Sequence, residues 1–387
     1  KSSLQQLSFE QSLTNDIKLR ANLEPFKDVK IQVDMKRSDQ SSYSELYTWD
    51  DVSGFTSTVP IRSGSYSVSF LPIRTAFSKD GIKSHKVFSE FESNIVTIQN
   101  RLDGRSSELG LLNYAENAQD AIIPAFIAAY TESDVNTVKL SPVPKIPMPN
   151  WRIDYAGLSK LPVFKEIFSS VNITHAYVAS YSIGDYVSDL SYTDPKEFDL
   201  SQNIIDYPLA YLPGSTGPTL TPLYSITQVT ISERFSPLIG VNIRTKNKIT
   251  SKVEWKKERN LVLNISNSQM IERVSDDLAF DFGITKSDLK IPFKIQGRSV
   301  TLENDIQFRT TFTIKNTRTV QRKVNDEHTI TEGNLSWQFR PNVTYVANKK
   351  LNVTMYYERN INQPKLTTSF NRASASFGIQ LRFSLAQ

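Results

Sequence analysis

The sequence predicts an all-β fold, an antiparallel transmembrane β-barrel segment with a small helical insertion. Three observations predict it. Apolar and polar residues alternate with a period of two over stretches long enough to cross a bilayer, which gives a strand one oily face and one wet face. The alternation recurs from the start of the chain to its end. No run approaches the ~18 consecutive apolar residues of a spanning helix. A chain that crosses lipid without such helices does so in a barrel, because only helices and closed barrels satisfy every backbone group there.

The longest alternating stretch, 299–315, sets the pattern. Val300, Leu302, Ile306, Phe308, Phe312 and Ile314 share one parity and are expected to face lipid along a continuous strand. Glu303, Asp305, Gln307 and Arg309 share the other and are expected to face a wet lumen. Asn304 and Thr310 are the polar exceptions on the apolar parity. In the last stretch Phe377, Ile379, Leu381 and Phe383 are expected to face lipid, with Gln380 and Arg382 in the lumen.

Taken in order, residues 1–77 read as barrel strands. Ile17, Leu19, Ala21 and Leu23 alternate with Lys18, Arg20 and Asn22, and Val29, Ile31, Val33 and Met35 repeat the pattern after a break at Pro25. Tyr66, Val68 and Phe70 alternate in the same way. Residues 78–150 change period. Phe88, Phe91, Ile95, Ile98 and Leu102 fall on one stripe of a helix over 87–102, with Gly104 as its expected stop. Residues 121–130 suggest a second helix, weakened by Pro124. Pro142, Pro144, Pro147 and Pro149 make a stiff, extended exit. This segment is expected to be an extramembrane insertion packed through the five stripe residues. Residues 151–387 return to barrel strands, with a long irregular loop near 189–222 of the kind found on the outer side of membrane barrels. Leu335, Trp337, Phe339, Val343 and Tyr345 form one late alternating set, and Leu351, Val353, Met355 and Tyr357 another. Polar breaks at 246–248, 256–260, 297–298, 316–318 and 348–350 favour a meander of sequential neighbours.

Composition narrows the function classes. The 387 residues are 39% hydrophobic, with a mean hydropathy of -0.35. Both values suit a barrel, half of whose strand positions face water. Basic and acidic residues are interleaved, so the formal charge of +5 marks no nucleic-acid arm. The absence of cysteine excludes disulfides and thiolate metal sites. His85, His175 and His328 are the only histidines, and none has a partner at metal-ligand spacing. No Walker or nucleophile-elbow motif occurs, and nothing selects a carboxylate pair. No cofactor, no metal and no enzymatic turnover are expected. The chain opens on Lys1 in sequence already patterned as sheet, which reads as a processed chain or a piece of a larger one.

Residues 150–162 read NWRIDYAGLSKLP, and 172–184 read NITHAYVASYSIG. With Leu23-Glu24-Pro25-Phe26 and the FSEFESNIVTIQNRL run of 88–102, they resemble the C-terminal part of the SprA or Sov family. That family forms the giant outer-membrane translocon of the Bacteroidota type 9 secretion system. The resemblance implies part of a very large outer-membrane barrel, the rest of which comes from the same long chain. It implies export of folded cargo bearing a C-terminal sorting domain, including gliding-motility adhesins. It also implies as partners a PorV-like barrel at a lateral opening, a periplasmic plug protein and a peptidyl-prolyl isomerase. Trp151, Arg152, Tyr155, Gly157, Leu158 and Leu161 correspond to the family signature and to no active site. Two other readings share the strand pattern: a ligand-gated outer-membrane receptor or porin fragment, and a soluble β-rich carbohydrate-active or binding domain.

Overall fold

The computed structural model describes residues 6–57, 60–78, 86–108, 118–188, 209–214, 217–222, 224–295, 298–302, 304–348, 351–366 and 368–383. The first strands are β1 (Gln6–Leu23), β2 (Val29–Asp50), β3 (Gly54–Ser57) and β4 (Ile61–Ser69). Helices α1 (Lys86–Glu108) and α2 (Gln119–Thr131) follow. Next come β5 (Asn150–Tyr155), the short helix α3 (Pro162–Lys165), β6 (Phe168–Ser188), β7 (Leu209–Gly214), β8 (Gly217–Pro222) and β9 (Tyr224–Ile226). The chain continues through β10 (Gln228–Thr245), β11 (Ile249–Asn264), β12 (Gln269–Lys286), β13 (Leu289–Ile295) and β14 (Arg298–Leu302). It ends with β15 (Ile306–Lys323), β16 (Thr329–Asn348), β17 (Leu351–Pro364) and β18 (Arg372–Phe383).

One antiparallel sheet of 14 strands takes in most of these, in the order β1-β2-β4-β6-β10-β11-β12-β15-β16-β17-β18, with β3, β5 and β9 as short additions. β7 with β8, and β13 with β14, form separate two-stranded hairpins. The predicted loop near 189–222 therefore contains a hairpin over 209–222, while 189–208 lie outside the described residues. Strands β10, β12 and β15 each run for 18 residues. At ~3.3 Å per residue that is ~60 Å, about twice the ~9–11 residues that a tilted bilayer crossing needs.

The extra length has its own covering. α1 and α2 lie against one face of the sheet over one half of its strands, termed here the upper half. Phe88, Phe91, Ile95, Ile98 and Leu102 of α1 are all buried, together with Ile122, Ile123, Phe126 and Tyr130 of α2. Their partners on the sheet are Tyr66, Val68, Tyr181, Ile183, Val229, Ile231, Leu261, Leu263 and Met270. All five residues of the helical stripe lie in this one cluster. Ile98 has no exposed surface, so Ile98→Val removes one buried methyl. The expected cost is ~1 kcal/mol, read as a shift in the denaturant midpoint. An unchanged midpoint would remove Ile98 from the core.

Three sequence expectations need correction. The stretch 299–315 is not one strand. β14 ends at Leu302 and β15 begins at Ile306. Lys286 pairs directly with Ile306, so the β13–β14 hairpin is an excursion between two adjacent strands of the sheet. Its base is held by Ser287, whose hydroxyl donates to Asp305 at 2.6 Å, and by Asn304, whose amide donates to the Ala347 carbonyl at 2.7 Å. Second, Gly104 does not stop α1, which continues to Glu108. A mid-helix glycine costs ~1 kcal/mol, and the burial of Ile98 and Leu102 on the same stripe offsets that. Third, the polar clusters at 256–260 and 316–318 are not breaks but lie inside β11 and β15.

Candidate functional site: a two-faced wall

The register shows which side chains share a face. Ile239, Trp255, Leu278, Ile314 and Trp337 form one cross-strand row, and Val241, Val253, Phe280, Phe312 and Phe339 the next but one along the strands. Lower still, Ile284, Phe308, Val343, Met355 and Ile379 line up, followed by Ile306, Tyr345, Val353 and Leu381. Phe377 and Phe383 extend this surface on β18, opposite Tyr357 and Leu351. On the other side of the sheet Met35, Val33 and Ile31 of β2 pair with Leu19, Ala21 and Leu23 of β1. These rows belong to the same face that α1 and α2 cover higher up; here no described helix covers them, and of their residues only Ile306 is buried. Phe280, Trp337, Phe339 and Met355 are 38 to 44% exposed, and Phe377 reaches 68%. Arg359, opposite Phe339, and Thr310 are the polar members of this face; soluble monomers rarely leave so many large apolar side chains of neighbouring strands in water. From Trp337 to Tyr345 the bare run matches the ~9–11 residues of a bilayer-crossing strand.

The opposite face is mainly polar. Arg152 donates to both carboxylate oxygens of Asp154 at 2.7 and 2.9 Å, and Thr174 donates to the same group at 2.8 Å. Lys252 and Lys256 flank Glu254 at 2.8 and 3.3 Å. Further along lie Lys315 with Asp277 (3.2 Å), Thr311 with Asp281 (2.6 Å) and Arg340 with Glu358 (2.9 Å). Exposed pairs of this kind contribute ~0.2–1 kcal/mol each. Their larger consequence is a wet wall of balanced sign that attracts neither cations nor anions strongly. A groove of about 760 Å³ opens on this face between Lys30, Arg152, Asp154, Asn172, Thr174, Asn242, Lys252 and Glu254.

The predicted site residues distribute as follows. Ile306, Phe308, Phe312 and Ile314 lie on the bare apolar face, and Gln307 and Arg309 on the polar one. Val300 and Leu302, expected in the same strand, belong instead to β14 and leave the main sheet. Asp305 sits at the base of that excursion and not in a strand; Glu303 lies outside the described residues. Phe377, Ile379, Leu381 and Phe383 share one face of β18, with Gln380 and Arg382 on the other. Trp151, Arg152 and Tyr155 form β5, which bridges β2 and β6, and Trp151 stacks on Tyr177 at 4.6 Å. Gly157, Leu158 and Leu161 shape the turns that follow. At Gly157 a Cβ would stand 2.6 Å from the Tyr155 ring, so glycine lets that ring fold over the turn. His175 donates from Nδ1 to the Leu238 carbonyl at 2.6 Å and packs near Trp151 and Phe235, a structural position.

Between bare band and covered half runs a belt that the sequence pattern hid. Lys257, Asp276 and Asn316 form one row of it, and Arg259, Val274, Arg318 and Gly333 the next. Two buried ion pairs tie the belt and the sheet above it to the insertion. Arg259 meets Glu233 at 2.8 Å and donates to the Thr75 carbonyl at 2.8 Å, with its guanidinium over the Tyr130 ring. Arg322 donates to Glu272 from Nε and Nη2 at 3.0 and 2.8 Å, beneath the Phe88 ring. Burial pushes the Glu233 carboxyl above its ordinary range; the nearby Arg259 charge and the Tyr177 hydroxyl oppose that shift. Charges recurring on the apolar parity of β11 and β15 were the available signal.

Among the described residues no cluster of His, Asp or Glu is placed to hold a metal ion. No described helix is long and apolar enough to cross a membrane, which says nothing about crossing by strands. No family model and no curated protein matches the chain. Among solved structures, an in-vitro folded, trimeric outer-membrane protein, OmpT of Vibrio cholerae, is similar over 98% of this chain and 99% of its own at 8% identity. The TM-score is 0.21, and at that value the likeness carries no argument about fold or function. What stands is an almost entirely antiparallel β-structure with one wet face and one apolar face.

Proposed function

We propose that this chain is a section of the wall of an outer-membrane channel, with its bare band in lipid and its polar face toward a lumen. The observation that carries this reading is the uncovered apolar band, bilayer-sized along the strands and continuous across neighbouring ones. A soluble carbohydrate-binding domain does not leave such a surface in water. In its finer form the proposal is the C-terminal part of a type 9 secretion translocon that passes folded cargo to the cell surface and turns over no substrate itself. The segments around Trp151 and Ile183 that resemble that family support it. So does size. A barrel closed from the 11 strands of the sheet's main path would have the bore of an ordinary porin or less, and folded protein needs far more strands. The outer edges of β1 and β18 pair with no other described strand, and further strands of the same long chain would continue the sheet there. A PorV-like barrel, a periplasmic plug protein and a peptidyl-prolyl isomerase are the partners this reading expects.

The test is deletion of the whole gene in its host, complemented by the intact gene or by one lacking residues 151–387. Cargo with the C-terminal sorting domain should accumulate in the periplasm except with the intact gene, while small-solute uptake stays unchanged. Normal surface cargo with loss of one nutrient's uptake would replace the translocon by a receptor.

A further inference from the structure

Just above the bare band, on the same face, the belt opens into a cavity of about 350 Å³ whose lining includes Phe77, Lys257, Asp276, Asn316, Arg318 and Lys365. The geometry that builds it is specific. Lys365 follows β17, and its stem lies flat across β16 over Gly333, where an added Cβ would come within 3.0 Å of the Lys365 Cβ. The ammonium thereby crosses a whole strand to donate to Asn316 on β15. Arg318 stands in the row above, and Lys257 approaches from β11, 3.3 Å from Asp276 and over the Phe77 ring. The lining thus gathers Lys257, Arg318 and Lys365 from three different strands or strand ends, with Asp276 paired to Lys257, and Arg259, whose charge Glu233 meets. Glu272, which also reaches the lining, has its charge taken up by Arg322. Burial and the neighbouring Arg318 charge hold the Lys365 ammonium below its ordinary pKa, as expected where cations are crowded.

Position adds a second, independent observation. Trp255 and Trp337 flank the row directly below, half-exposed, in the manner of the aromatic girdle at a membrane interface. Phe77, 53% exposed, stands at the same border. A cationic cavity at this level meets the headgroups of lipids whose chains lie on the band.

We propose that this cavity binds the phosphate-bearing headgroup of a membrane lipid whose acyl chains run down the apolar band. The proposal rests on the membrane-wall reading. Lys365 and Arg318 supply the charge and the forked donors that suit a phosphate, and Lys257 closes the far side.

The test uses the protein purified at its natural full length and reconstituted into phosphatidylcholine vesicles, with or without a minor fraction of phosphatidic acid. Insertion into pure phosphatidylcholine, followed by protease protection, reports the membrane reading alone. Preferential retention of phosphatidic acid on detergent extraction reports the cavity. The R318Q/K365Q variant should insert normally and lose that preference about thirtyfold. The K315Q/R340Q variant, which removes the same charge from the opposite face, should keep it. If the double cavity variant does not insert, K365Q alone, at an exposed side chain, carries the test with a loss of about fivefold. Equal losses in the two double variants, or no preference in the parent protein that does insert, would overturn the cavity and leave the wall reading intact. Displacement of the lipid by inorganic phosphate at matched concentration would overturn the lipid as its source. Failure of the parent to insert would overturn both.

Discussion

Arg322→Ala is expected to destabilise the protein by ~3–5 kcal/mol, the cost of leaving one buried charge without its partner. Arg322 has no exposed surface and Glu272 only 5%. The guanidinium gives Glu272 two charge-assisted hydrogen bonds and lies against Phe88, so its removal strands a carboxylate under α1. The double variant Arg322→Met with Glu272→Leu should recover most of the loss, because an apolar pair of similar volume avoids desolvating either charge. Denaturant unfolding in detergent micelles reads both. A single variant no worse than Lys315→Ala, whose pair is exposed, would mean that α1 does not bury this pair.

Phe312→Arg is expected to cost ~2–4 kcal/mol in a bilayer, the penalty for a cation on the lipid face near midplane. Phe312 sits in the row Val253–Phe280–Phe312–Phe339, with Leu278, Ile314 and Trp337 in the row on one side and Phe282, Thr310 and Pro341 in the row on the other. Thr313→Arg, one residue on, places the same charge beside Gln338 on the polar face and should cost little. The difference belongs to the membrane. In short-chain detergent that admits water around the band, the two variants should converge. Equal penalties in vesicles would show that the two faces are not distinct in the way the register implies.

The strand pattern was legible because period two is a local property: Phe308, Phe312 and Ile314 announce their common face within a few residues. The stripe from Phe88 to Leu102 was legible for the same reason. What the stripe packs against was not, since Tyr181, Leu263 and Met270 are distant in the chain. The belt was misread outright. Lys257, Arg259, Asn316 and Arg318 interrupt an apolar parity, and locally such residues look like turns. Only cross-strand partners, such as Glu233 for Arg259 and Glu272 for Arg322, make them tenable inside a strand. The break at 303–305 left a trace, because Asn304 is polar on the apolar parity. Its amide serves the Ala347 carbonyl at the foot of a hairpin, a role no spacing rule reveals.

If the bare band faces lipid, the protein's own tryptophans report it. Trp255 and Trp337 lie on the upper rim of the band, while Trp49 lies near the end of β2, packed on Phe55. Single-tryptophan variants retaining each in turn, the others replaced by Phe, are reconstituted into vesicles of phosphatidylcholine brominated on its acyl chains. Trp255 and Trp337 are expected to be quenched, more strongly by bromines near the glycerol than near the chain ends, and Trp49 little. Trp255 and Trp337 quenched by aqueous iodide and untouched by brominated chains would show that the band does not face lipid.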